Sequence, residues 1–142
     1  MIVLDTSGLL AAIDGSQQQH AEAAAAIRGS TGPLLLSPFV LAELDDLLST
    51  KVSPDAAAAL LDEVAGGAYR LEPMAADDIA RASEITLRYR DLQLDLADAS
   101  LVVLAERHRT LDVLTLDERH FRAVTGPGGR PFRILPADRR LE

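Results

Sequence analysis

The chain has 142 residues and a mass of 15.2 kDa, which points to one domain spanning 1–142 rather than a multidomain assembly. Hydrophobic residues at 48% and charged residues at 25%, with no low-complexity tract, exclude a disordered chain; the absence of cysteine excludes a disulfide scaffold, a thiolate zinc site and a cysteine nucleophile. A formal net charge of -8 argues against a general nucleic-acid coat, although the charge is uneven: residues 1–87 hold four basic and 13 acidic side chains, and residues 88–142 hold ten arginines against nine acids.

In chain order, Ile2 to Leu4 is a short apolar run ending abruptly in Asp5-Thr6-Ser7-Gly8, a strand followed by a turn. Leu9 to Ile13 then reads as a helix stopped by Asp14-Gly15, and a second helix runs from Ala21 to Ile27 and ends at Gly29. Leu34 to Leu36 is the next strand. Ser37-Pro38 and Ser53-Pro54 each open a helix, because serine is a good N-cap and proline fits the first helical position. The second of these helices closes near Ala65 at Gly66-Gly67, and Tyr69 to Leu71 is a brief strand. Helices are expected over Asp77 to Tyr89 and Leu96 to Arg109, with strands over Leu111 to Leu116 and Phe132 to Leu135 before a charged tail. Strands alternating with helices imply an α/β class, a three-layer α/β/α domain with a mainly parallel central sheet. No glycine-rich phosphate loop is present, and Gly126-Pro127-Gly128-Gly129 reads as a surface turn. No apolar stretch approaches the roughly 18 to 20 residues of a membrane span, so a soluble, cytoplasmic protein is expected.

Four carboxylates fall at positions where chemistry is expected. Asp5 and Asp117 follow predicted strands, and in α/β sheets ligands collect beyond the carboxyl ends of the strands, although each also suits a helix cap. On a helical projection Glu43 borders the apolar stripe of Val40, Leu44, Leu47 and Leu48, with Asp45 and Asp46 further toward solvent. Asp98 lies beside Ala105, between Leu101 and Val102, on an apolar face. No arginine or lysine lies within a helical turn of Glu43 or Asp98, and an uncompensated inward carboxylate is strongly unfavourable. Four such acids brought together would need a divalent cation, and oxygen-only ligands suit Mg²⁺ or Mn²⁺. A carboxylate-held ion is a recurrent device for phosphodiester hydrolysis.

Around these acids stand further candidates. Asp95 reads as a charge favouring the helix dipole, with a ligand role as the alternative. Thr6, Ser7 and Thr115 are short hydroxyls suited to hydrogen-bonding Asp5 and Asp117, or to ordinary turns. His20, His108 and His120 lack metal-ligand spacing and are expected as surface or packing residues, and Arg119 and Arg122 suit either phosphate contact or a solvated turn.

Taken in order, these segments resemble the PIN-domain family, and specifically the VapC-type ribonuclease toxins of bacterial type II toxin-antitoxin pairs. Ile-Val-Leu-Asp-Thr-Ser-Gly-Leu-Leu-Ala is similar to the family's opening strand, with Asp5 as its first metal-binding acid. Ser-Pro-Phe-Val-Leu-Ala-Glu-Leu resembles the second motif, with Glu43. Leu-Ala-Asp-Ala-Ser-Leu-Val-Val-Leu-Ala-Glu-Arg resembles the third, with Asp98, and Leu-Thr-Leu-Asp-Glu-Arg-His-Phe the fourth, with Asp117. Asp95 departs from the neutral residue commoner at its position. The resemblance implies a Mg²⁺- or Mn²⁺-dependent endoribonuclease acting on RNA, a homodimer without membrane attachment, and inhibition by a VapB-type antitoxin whose C-terminal segment covers the active-site groove. The competing class is a non-catalytic acidic α/β interaction module for a basic partner. A metal-dependent phosphatase is a third reading, weakened by the lack of an Asp-x-Asp motif at the first strand end.

Overall fold

The computed structural model describes residues 1–139. Five short strands, β1 (Ile2–Leu4), β2 (Leu34–Leu36), β3 (Arg70–Leu71), β4 (Asp112–Leu114) and β5 (Arg133–Leu135), form one sheet in the order β3-β2-β1-β4-β5. Every strand pair is parallel, with Val3 opposite Leu35 and Val113, and Val113 opposite Ile134. The central strands are only three residues long, yet Ile2, Val3, Leu4, Leu35, Leu36, Val113 and Leu114 are fully buried. That is the composition a parallel sheet covered on both faces requires.

The helices are α1 (Thr6–Ile13), α2 (His20–Arg28), α3 (Pro38–Lys51), α4 (Pro54–Ala65), α5 (Ala76–Arg88), α6 (Leu96–His108) and α7 (Glu118–Ala123). They pack mainly against their neighbours in sequence, α1 on α2, α3 on α4 and α5 on α6. Both predicted Ser-Pro starts form as expected: Ser37 Oγ accepts from the Phe39 N–H at 3.2 Å, and Ser53 Oγ from the Ala56 N–H at 3.1 Å. Among the described residues no helix is long and apolar enough to cross a membrane.

Two features went unpredicted. The six-residue α7 is too short to show a helical period, and the residues before it read as strand through Leu116. In the structure β4 stops at Leu114, and Asp117 caps α7 by accepting from the His120 N–H at 3.1 Å. Phe121 of α7 then meets Phe132 edge-on, with ring centroids 5.9 Å apart, and this pins the helix beside β5. The second is the tight seating of α1 against β4. A Cβ on Gly8 would stand 2.4 Å from the Leu114 carbonyl oxygen, so this helix approaches the strand backbone only because residue 8 has no side chain.

From β1 the chain steps outward to β2 and β3, then returns across the sheet through α5 and α6 to β4 on the other side of β1. The direction of travel therefore reverses between β1 and β4. In open parallel sheets this reversal opens a crevice beyond the carboxyl ends of the strands. Asp5 directly follows β1, and Asp117 lies three residues beyond β4.

Candidate active site

Asp5 is the centre of the crevice. It is only 6% exposed, and its carboxylate is held from three directions. Thr115 donates its hydroxyl to Asp5 Oδ2 at 2.6 Å, the Thr6 backbone N–H reaches Oδ1 at 2.8 Å, and the Ser7 hydroxyl lies 3.3 Å from Oδ2. Ser7 Oγ also accepts from the Leu116 N–H at 2.9 Å, and Thr115 Oγ1 from the Asp117 N–H at 2.9 Å. Ser7 and Thr115 thus tie the ends of β1 and β4 into one network. Thr6 contributes through its backbone, and its buried hydroxyl has no hydrogen-bond partner among the described residues.

Burial pushes the Asp5 carboxyl above the usual carboxylate range, the hydrogen bonds from Thr115, Thr6 and Ser7 pull it back in part, and the charge of Asp117 raises it again. Asp98, on the first turn of α6, is pushed up to about 7 by burial, by Asp95 and by Asp5. Three acids from β1, α6 and the segment after β4 therefore sit close enough to repel one another. The helix that carries Asp98 is anchored nearby by a buried hydroxyl pair, Ser37 and Ser100, whose oxygens are 2.7 Å apart.

Asp95 is the N-cap of α6. It accepts from the Asp98 N–H at 2.8 Å while the Asp95 N–H approaches Asp98 Oδ2 at 3.3 Å, a reciprocal capping box. The helix-terminal role expected of Asp95 is thereby given a specific geometry. Asp98 is at once a member of this cap and a neighbour of Asp5.

The expectation for Glu43 needs correction: its side chain is exposed, whereas Asp45, expected further toward solvent, is half-buried. The buried stripe of α3 is Val40, Leu44 and Leu48, and Glu43 and Asp45 lie about 100° to either side of its middle. Helical geometry alone does not separate the two flanks, and the packing of neighbouring elements covers the Asp45 side. No hydrogen bond or ion pair joins Glu43 to the other acids among the described residues.

His120 was expected as a surface or packing residue, and it lies instead between two of the acids. Its Nδ1 is 2.7 Å from Asp117 Oδ2 and 3.6 Å from Asp98 Oδ2. Nδ1 has no hydrogen bond, so the contact is one of proximity rather than an aligned bond. The signal available in the sequence was its spacing, three residues after Asp117 at a helix start. His20 and His108 do serve packing: His20 Nδ1 lies 2.8 Å from the Ala11 carbonyl, and His108 rests against buried Glu72. Arg122 is engaged by Asp138 and Glu118, and Arg119 is exposed.

The donor chemistry of Asp5, Asp98 and Asp117 fits a hard divalent cation: all are carboxylates, and their mutual repulsion is relieved by positive charge. As placed, no three His, Asp or Glu side chains among the described residues are near enough to share one ion. Binding therefore entails drawing these side chains inward.

The chain is similar in sequence and in fold to known proteins. The PIN domain family model matches residues 2–127. The chain is 44% identical over 135 residues to Ribonuclease VapC26 of Mycobacterium tuberculosis, covering 95% of this chain and 100% of that protein. Its fold is similar to the crystal structure of Mycobacterium tuberculosis VapC20, a sarcin-ricin-loop-cleaving toxin, with a TM-score of 0.78 and 22% identity over 84% of this chain and 92% of that one. A toxin-antitoxin complex from Klebsiella pneumoniae has a chain superposing with a TM-score of 0.66 and 18% identity, covering 87% of this chain and 92% of that one. An all-parallel five-stranded sheet with acids gathered at its reversal point is thus joined to a match over most of the sequence, and the chain belongs to the PIN-domain family.

Proposed function

We propose that this chain is the endoribonuclease toxin of a VapBC-type toxin-antitoxin pair, a cytoplasmic enzyme of one domain that hydrolyses RNA phosphodiester bonds with Mg²⁺ or Mn²⁺. The observation that carries the reading is Asp5: a nearly inaccessible carboxylate at the sheet reversal, with Asp98 and Asp117 raising its electrostatic cost and no basic side chain paired with it among the described residues. The 44% identity to a ribonuclease supports the choice of RNA as substrate class.

In this reading Asp5 and Asp98 are the principal metal-binding residues, with Asp117 and Glu43 completing the acidic set. When bound, the ion activates water and offsets the charge that develops on the phosphate. Thr115, Ser7 and the Thr6 N–H orient Asp5, and the capping box with Asp95 orients Asp98. Burial of the crevice strengthens each of these electrostatic contacts. Glu43 is the outlying acid and acts only if substrate or metal draws it toward the crevice.

The partner proposed is a VapB-type antitoxin whose basic tail occupies the same acidic crevice, with the toxin itself a homodimer. A guanidinium entering the crevice would neutralise the same acids as the metal. Cleavage of RNA by the wild type with Mg²⁺ or Mn²⁺, abolished by chelation and by Asp5→Asn, is the expected result. Equal cleavage by Asp5→Asn would overturn the assignment. An intact fold that cleaves no RNA with either metal would leave the non-catalytic module as the better reading.

A further inference from the structure

At the other end of α6 from Asp98 lies a cleft of about 720 Å³. It is walled by the end of α5, the end of α6 and the Thr125–Arg130 turn, and Arg81, Arg88, Arg109 and Arg130 line it. In a chain of net charge -8 this concentration of cations is unusual. Arg81 is already engaged, by Glu106 at 2.7 Å and Glu84 at 2.9 Å. Arg88, Arg109 and Arg130 are exposed, and among the described residues no carboxylate lies within ion-pair distance of them.

The three come from separate elements, and the backbone that carries Arg109 and Arg130 is well defined. Arg109 caps α6 in the left-handed region, at φ 53°. Arg130 closes a braced turn in which the Gly126 N–H donates to the Arg130 carbonyl at 2.7 Å and Thr125 bridges Pro131. Arg88 lies over the ring of Tyr89, 5.3 Å from its centroid, and the Tyr89 hydroxyl sits 3.2 Å from Thr125 Oγ1, which joins the helical wall to the turn. The result is three guanidinium groups without an ion-pair partner among the described residues around an open trough, planar forks of the kind that suit phosphate oxygens.

We propose that this arginine cleft is a docking site for the phosphodiester backbone of RNA, remote from the carboxylate crevice and used by substrates long enough to reach both. The inference rests on the ribonuclease reading above. An RNA is favoured over an acidic protein because α6 itself links the two sites: Asp98 and Arg109 are eleven residues apart on it, about 16 Å of helix. A stacked strand advances about 3.4 Å per nucleotide, so roughly five nucleotides separate the two positions. The cleft would then act as a ruler, favouring long or structured RNA over fragments.

The test uses the full chain carrying Asp5→Asn, in EDTA, with a fluorescein-labelled 20-nucleotide RNA, reading anisotropy from 50 to 200 mM KCl. Adding Arg88→Gln, Arg109→Gln and Arg130→Gln together should weaken binding at least about tenfold at the lowest salt and reduce the slope of log Kd against log salt by about two to three. The corresponding triple lysine variant, which keeps the charges, should retain most of the slope. In a chain with Asp5 intact, the glutamine variant should raise KM for the 20-nucleotide RNA and leave kcat/KM for a four-nucleotide RNA unchanged. Unaltered affinity and slope in a folded glutamine variant would overturn the proposal. So would a poly-glutamate peptide that binds the cleft and is not displaced by RNA, which would assign it to an acidic protein. Failure of the wild type to cleave any RNA with metal would instead count against the ribonuclease reading, which the binding measurement does not depend on.

Discussion

Thr115 and Asp5 stand 110 residues apart in the chain and 2.6 Å apart in space, joined by a hydroxyl that donates to a buried carboxylate. The bond crosses the point where the sheet reverses, and it favours the charged form of an acid whose surroundings favour the neutral one. Thr115→Val keeps the shape and removes the donor. It should cost about 1–3 kcal/mol of stability and lower affinity for Mg²⁺ or Mn²⁺ by about 10- to 100-fold. Thermal unfolding and calorimetric metal titration check the two effects separately, and wild-type metal affinity in this variant would show that the hydroxyl does not orient Asp5.

Stability without metal should depend on pH in a direction set by Asp98. Its folded carboxyl titrates at about 7, above the ordinary value of 3.8, so the folded state holds this proton more tightly than the unfolded one. The resulting stability is fully present below about pH 4 and is lost as pH rises toward and through 7. With EDTA, melting should therefore occur at a lower temperature at pH 8 than at pH 5.5. Asp98→Asn should flatten the difference. Saturating Mg²⁺ should recover stability at pH 8, because binding to the folded state alone favours folding.

Asp95 and Asp98 separate by role. Asp95→Ala removes the N-cap of α6, which should cost about 0.5–2 kcal/mol while most RNA cleavage remains. Asp98→Ala should eliminate cleavage. Calorimetry that found metal binding lost as fully in Asp95→Ala as in Asp98→Ala would place Asp95 among the ligands.

Gly8 is a test of the fold rather than the chemistry. Gly8→Ala drives a methyl group against the Leu114 backbone, and since backbone gives way less readily than a side chain, at least about 2 kcal/mol of stability should be lost. Denaturant unfolding measures it. The same substitution at Gly15, where a Cβ meets nothing within 4 Å, serves as the control.

Antitoxin affinity should fall as Mg²⁺ or Mn²⁺ rises, and fall again with added salt, if a basic tail enters the carboxylate crevice. Asp5→Asn/Asp117→Asn should weaken binding and blunt the metal dependence. Affinities indifferent to metal and to both substitutions would place the partner elsewhere on the protein.

The local signals in the sequence were sufficient wherever a short-range cause was sufficient. Ser37-Pro38 and Ser53-Pro54 dictated helix starts because a cap hydrogen bond involves only neighbouring residues, and the short apolar triplets Ile2 to Leu4 and Leu34 to Leu36 read as strands. Asp5, Asp98 and Asp117 were legible as candidates because an acid at a strand end or on an apolar face has few unpaired alternatives. Tertiary structure alone decided the rest. Whether Glu43 or Asp45 faces solvent depends on which flank of α3 a neighbour covers, and a helical projection is symmetric about its own stripe. His120 became a neighbour of Asp98 and Asp117 only because α7 formed, and α7 is held by Phe121 meeting Phe132, eleven residues further along the chain. Thr115 suited either a hydrogen bond to Asp5 and Asp117 or an ordinary turn, and only the order β3-β2-β1-β4-β5, which places β4 beside β1, decided between them. Pairing between distant segments is a property of packing, and no residue's own neighbours in sequence encode it.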